Sequence, residues 1–150
     1  MAGPADRPRV FLDADVLVAG SASRAGASHL ILQLSELGLI DVVSSAQARA
    51  EVERTLRRKL PAALPAFALI AQAACRWVDD PPARRLKPHQ GEADPKDLPI
   101  LVAAIETGSL ALLTFNKRHF KPAAGTIRVE APGEFLERLR AMLAGLAGGD

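Results

Sequence analysis

Two runs of large apolar residues constrain this chain most: residues 10–12 in "RVFLDADVLVAG" and residues 110–115 in "LALLTF". Neither run alternates with polar residues. A strand with one wet face alternates with a period of two, so an unalternating strand is covered on both faces. Both runs also end in polar side chains. Asp13 and Asp15 follow the first, and Thr114 and Asn116 lie at the end of the second. The chain must therefore bury a sheet between two layers and still carry carboxylates at its rim.

The rest of the chain alternates strands with helices. After a strand at 9–12, "GSASRAGAS" reads as a turn. A helix over 28–37 follows, with Leu30, Ile31, Leu34 and Leu37 at helical spacing and Gly38 as its stop. Residues 39–43 read as a second strand. Ser44 or Ser45 then caps a helix whose stripe is Val52, Leu56 and Leu60, interrupted at Pro61 and followed by another helix. A short strand is expected at 75–78, and a long Pro-rich loop at 79–96, a length that is usually functional or mobile. Asp97 is expected to cap a helix that starts at "LPILVAAI" and stops at Gly108. Strands at 110–115 and 126–130 and a final amphipathic helix complete the pattern. The expected fold is a three-layer α/β/α sandwich around a mostly parallel sheet, a single domain over 1–150 with its core at about 9–143 and a frayed tail at 144–150. Ligands in such folds sit beyond the carboxyl ends of the strands, where Asp13, Asp15, Thr114 and Asn116 fall.

Composition narrows the setting. The chain has 150 residues, 49% of them hydrophobic, enough for a core without staples. Its one cysteine, Cys75, excludes an internal disulfide and fits a reducing cytosol. The start, "MAGPADRPR", has no apolar signal-peptide segment, and the longest uncharged stretch, 61–75, is too short to span a bilayer. Basic clusters at 54–59, 83–87 and 116–121 are either solvated ends and loops or a footprint for a polyanion. Aromatic residues are too few for a base-stacking platform.

Acids gather near element ends: Asp13 and Asp15, Glu51 and Glu53, Glu92 with Asp94 and Asp97, and Asp79 with Asp80. Grouped carboxylates raise one another's pKa, and a bound Mg²⁺ or Mn²⁺ reverses that cost. Each acid has a plainer alternative. Asp13 and Asp97 suit helix caps. Glu53 can pair with Arg57, and Glu51 with Arg54, on a helix surface. Asp94 can be a solvated loop residue. His119 sits in a basic loop and reads as a surface residue, or as a group that orients a phosphate or donates a proton. His29 and His89 read as structural or solvated.

The series "VFLDADVLVAG", "VVSSAQARAEVERTL" and "ADPKDLPILVAAIETGSLALLTFNKRHF" resembles the PIN domain family over about residues 9–143. That resemblance implies a metal-dependent endoribonuclease, with VapC-type toxins of toxin–antitoxin modules among its members. By position it makes Asp13, Glu51 and Asp97 the Mg²⁺ or Mn²⁺ ligands, with Glu53 as fallback for Glu51 and Asp94 as a neighbour. Asp15 falls where the family commonly has Asn. Thr114 and Asn116 match its Thr-x-Asp/Asn tip, Asn116 as a catalytic group and Thr114 as a substrate contact. Lys117, Arg118 and Arg58 would hold the RNA backbone. An antitoxin and a second copy of the chain are the partners it implies, in the cytoplasm. Where the family often has a further acid, this chain has Asn116 or His119, which bears on a second metal ion.

Two rivals remain at the level of sequence. A PIN fold without turnover would bind RNA or a partner. The Asp-x-Asp after the first strand also looks like the opening motif of haloacid-dehalogenase-type phosphatases, but Leu17 stands where that family expects Thr.

Overall fold

The computed structural model describes residues 7–123 and 125–147. Strands β1 (Arg9–Leu12), β2 (Asp41–Ser45), β3 (Arg76–Val78), β4 (Ala111–Leu113) and β5 (Arg128–Glu130) form one sheet in the order β3-β2-β1-β4-β5. Every pairing is parallel. Seven helices cover it: α1 (Ala14–Ala22), α2 (Ala27–Glu36), α3 (Ala46–Lys59), α4 (Leu64–Ala73), α5 (Ala83–Leu86), α6 (Leu98–Glu106) and α7 (Pro132–Ala147). This is the three-layer α/β/α sandwich that the two unalternating strands demand.

The strand order positions the site. β2 and β3 lie on one side of β1, β4 and β5 on the other, so the direction of winding reverses between β1 and β4. Right-handed crossovers then put the two sets of helices on opposite faces and open a crevice at the carboxyl ends. Leu12 pairs with Leu113, which sets Asp13 and Thr114 side by side at the tips. The backbone N–H of Asp13 donates to the Leu113 carbonyl at 3.0 Å and fixes that junction.

Val10, Phe11, Leu12, Leu112 and Leu113 are fully buried, and each such side chain contributes roughly 1.5–3 kcal/mol of transfer free energy. α6 is buried at Leu98 and at every position from Ile100 to Ala104, as expected of a helix enclosed on all sides. The small residue Gly20 lets α1 and α2 approach: a Cβ there would stand 2.5 Å from Leu32 Cδ1.

Several sequence expectations are corrected. α1 replaces the chain expected to run from strand into turn; only Ser23–Gly26 turns, with Gly26 at φ +101°. In α2 the buried positions are Ser28, Ile31 and Leu32, while Leu37 is 73% exposed and Leu30 also faces outward. β2 begins at Asp41, so Leu39 stays outside the sheet. Leu60 leaves the α3 stripe, 44% exposed, because the helix ends at Lys59 before Pro61. The 79–96 segment is not a bare loop but holds α5 and a 3-10 turn at Lys87–His89. α7 continues to Ala147, so residues 144–147 are helical rather than frayed, and 148–150 lie outside the described residues.

A depression of about 630 Å³ opens at the opposite, amino-terminal edge of the sheet. Two of its arginines share one acid. Arg9 and Arg76 both reach Asp41, at 2.7 and 2.9 Å, and Arg9 also donates to the Thr107 carbonyl. Against the cost of its own burial, Arg76 and Arg9 hold the Asp41 carboxyl below its ordinary value. That edge is a structural clamp. Among the described residues no helix is long and apolar enough to cross a membrane.

Candidate metal centre

β1 delivers Asp13 to the crevice, 7% exposed. One carboxylate oxygen accepts from the Ala14 N–H at 2.8 Å and so caps α1. The other accepts from the Thr114 hydroxyl at 3.0 Å. The cap expected of Asp13 is present, and the same carboxylate also accepts from Thr114. Asp15, in the first turn of α1, gathers three donors on Oδ2: Phe115 N–H at 3.0 Å, Asn116 Nδ2 at 3.1 Å, and the Thr114 hydroxyl at 3.4 Å. A hydroxyl has one proton, so the shorter contact to Asp13 takes it. Thr114 is fully buried and also accepts from the Asn116 N–H at 3.1 Å.

Asp97 enters from the start of α6, 8% exposed. It occupies the cap position, yet its side chain makes no capping hydrogen bond. That expectation is corrected: the carboxylate turns to the crevice, with His119 Nδ1 3.1 Å from Oδ2. The contact is at ion-pair distance but lacks hydrogen-bond alignment, and Oδ2 keeps no hydrogen-bond partner. His119 Nε2 lies 3.9 Å from Asp94 Oδ2. His119 is thus half-buried among acids, not a surface residue of the basic loop.

α3 contributes Glu51 through a relay. The two protons of the Gln47 amide go to Glu51 Oε1 at 3.2 Å and to the Lys96 carbonyl at 2.9 Å. Glu51 is therefore tethered to the residue just before Asp97. Glu53 faces away, paired with Arg49 at 3.3 Å and Arg57 at 3.7 Å. Of the two glutamates left open by helical phase, Glu51 is the one linked, through Gln47, to the Lys96 carbonyl beside Asp97. Lys117 is engaged with Glu134 at 2.8 Å, and Arg118 is exposed beside Asn116. Arg58 is not brought to the acids: it sits in the last turn of α3, about 10 Å beyond Glu51 along the helix. His29 binds the Gly20 carbonyl and His89 binds Glu92, both structural as expected.

The electrostatics follow from burial. Burial, then the charge of Asp15 and more weakly that of Asp97, pushes Asp13 up to about 7. Burial also raises Asp15, against the hydrogen bonds it accepts, and Asp97 adds to the rise. Burial raises Asp97 in turn, opposed by Lys96 and His119. Three carboxylates that destabilise one another's charge are costly unless a cation joins them. Asp15 Oδ1 and Asp97 Oδ2 are buried oxygens with no donor. An oxygen-rich set with orphaned lone pairs fits Mg²⁺ or Mn²⁺, which need only one or two direct carboxylates. Asp94, Asp97 and His119 also offer ligand atoms all within 4.8 Å of one another.

Fold and crevice together define a parallel α/β protein with a carboxylate pocket at its winding reversal. The sequence pattern of the PIN domain matches residues 9–118, and the chain belongs to the PIN domain family. No curated protein matches it in sequence. Its structure is similar to a chain of VapBC2 from Rickettsia felis, solved bound to a DNA fragment from its promoter. The TM-score is 0.62 at 13% identity, over 82% of this chain and 98% of that one. It is also similar to Mycobacterium tuberculosis VapC20, described as a Sarcin-Ricin loop cleaving toxin. There the TM-score is 0.48 at 15% identity, over 69% of this chain and 86% of that one. At such identities the likeness speaks for the fold.

Proposed function

We propose that this chain is a PIN-type, divalent-metal-dependent endoribonuclease. One observation carries the reading: Asp13, Asp15 and Asp97 converge on one crevice, each raised in pKa, with two buried oxygens lacking any donor. Asp13, Asp97 and Glu51 would hold Mg²⁺ or Mn²⁺, with Asp94 alongside. These carboxylates would hold the cation where it would supply charge stabilisation to a phosphodiester and activate water for its hydrolysis. The Thr114 hydroxyl fixes Asp13, and Asn116 Nδ2 fixes Asp15, so neither carboxylate needs to reorganise. Gln47 keeps Glu51 in register with the Asp97 turn.

Arg118 and Lys117 follow Asn116 in the chain, are exposed, and would meet the phosphates of a bound RNA. The exposed Lys117–Glu134 pair is weak enough to exchange for an RNA backbone. Arg58 would reach only a longer RNA, two turns along α3. The toxin role, a cognate antitoxin, self-association and a cytoplasmic setting belong to the same reading. They are supported by family membership and by the fold shared with a VapBC2 chain.

The experiment is cleavage of a mixed structured RNA pool with Mg²⁺, with Mn²⁺ and with chelator. Cleavage by the wild-type chain, abolished by chelator and by Asp13→Asn or Asp97→Asn, is expected. RNA binding with no cleavage under any metal would replace the nuclease by a binding module, the reading that Asn116 in place of an acid favours.

A further inference from the structure

We propose that Asp94, Asp97 and His119 form a mixed nitrogen–oxygen metal site, which makes this centre prefer Co²⁺ or Zn²⁺ to Mg²⁺. The inference deepens the proposed function and rests on it for the reaction, but not for the binding.

Ligand spacing supports it. Adjacent ligands on an octahedral ion with bonds of about 2.1 Å lie about 3 Å apart, and opposite ones about 4.2 Å. His119 Nδ1 stands 3.1 Å from Asp97 Oδ2, the spacing of adjacent ligands. One atom from each residue falls within 4.8 Å of the others.

An ion pair between His119 and Asp97 does not account for this arrangement. The ring N–H is not aligned on the carboxylate, and Asp97 Oδ2 remains buried without a hydrogen-bond partner. A buried acceptor left in that state costs about 1–3 kcal/mol, a cost that a cation removes. Asp15 Oδ1, in the same crevice, is a second orphan.

The backbone holds the cluster before any ligand arrives. The Asp94 N–H donates to the His119 carbonyl at 2.9 Å, the Asp97 N–H to the Asp94 carbonyl at 2.9 Å, and the His119 N–H to the Asn116 carbonyl at 3.0 Å. Both loops are pinned, so the main chain of Asp94, Asp97 and His119 is held in one arrangement. Donor chemistry sets the preference. Carboxylate and water cages suit Mg²⁺ and Mn²⁺, whereas an imidazole ligand favours later first-row metals such as Co²⁺ and Zn²⁺.

The test uses the full chain with Mn²⁺ alone and pulsed electron paramagnetic resonance. Nitrogen coupling to bound Mn²⁺ is expected in wild type. His119→Gln should lose that coupling while still taking Mn²⁺ about tenfold more weakly. His119→Asp should bind Mn²⁺ without nitrogen coupling and lower the Zn²⁺-over-Mg²⁺ affinity ratio about tenfold. Bound Mn²⁺ without nitrogen coupling in wild type, with metal-dependent RNA cleavage intact, overturns this inference and leaves the nuclease standing. Nitrogen coupling without cleavage upholds the site and overturns the nuclease. No metal bound at millimolar concentration overturns both.

Discussion

The main-chain N–H of Asp94 donates to the carbonyl of His119 at 2.9 Å, so the turn before α6 and the loop after β4 form one unit. Metal bound between their side chains should rigidify both segments together. Hydrogen exchange measured with and without Mn²⁺ should show the amides of Asp94, Asp97 and His119 slowing in concert. Slowing in one segment alone would contradict a shared ligand.

Asp13 makes the metal-free protein less stable as pH rises. Its folded pKa, about 7, lies above the ordinary value of 3.8, so the folded state binds the extra proton between those values. Stability is therefore highest below about pH 4 with respect to this group, falls as pH climbs to about 7, and then levels off. The full effect is on the order of 4 kcal/mol, and Asp15 and Asp97 act in the same direction. Asp13→Asn keeps the cap and removes the charge. Thermal melts at pH 8 without metal should show this variant melting several degrees above wild type. Melts with Mn²⁺ should show that it has lost the metal-induced rise.

The proposed function gives Glu51 to the site and leaves Glu53 on the surface of the same helix. Glu51→Gln should reduce cleavage at least a hundredfold with little change in melting temperature. Glu53→Gln loses only exposed ion pairs and should stay within about 0.5 kcal/mol and twofold of wild type. Equal activity losses would assign the helical acid wrongly.

Thr114→Val keeps the shape of a fully buried side chain but deletes its hydroxyl. Asp13 loses a donor and the Asn116 N–H loses an acceptor. The cost should be about 1–3 kcal/mol, seen as a melting point roughly 3–10 °C lower. Thr114→Ser should recover most of it, which distinguishes the hydrogen bonds from packing.

Removing the Gln47 amide tests the relay. Gln47→Leu should weaken Mn²⁺ binding several-fold while leaving α3 helical by circular dichroism, because Glu51 loses its tie to the Lys96 carbonyl. Unchanged affinity would make the amide a surface contact only.

The legibility of the sequence follows from where its patterns are local. β1 and β4 were readable because enclosed strands lack alternation, and Asp13, Thr114 and Asn116 because they terminate those strands. α6 was readable from Pro99 and Gly108 at its two ends. α1 was not. Its "ADVLVAGSA" buries Val16, Leu17, Gly20 and Ser21 and has no polar stripe, so no helical period survives to be read. His119 was misplaced because its neighbours Lys117, Arg118 and Lys121 mark a surface, while its acid partners come from a segment that only folding brings near. Nothing local marks Gln47, whose role depends on a carbonyl 49 positions away. Asp15 stood next to a recognised ligand, yet its donors Phe115 and Asn116 come from the far side of the chain.

β1 lies at the centre of the sheet and β4 is the fourth strand made, so Asp13 waits for partners that leave the ribosome about a hundred residues later. A nascent chain that stops short of Ala111 has no Thr114, Asn116 or His119 to complete the crevice. For the nuclease proposed above, cutting would therefore begin only after β4 and the loop that follows it have been made.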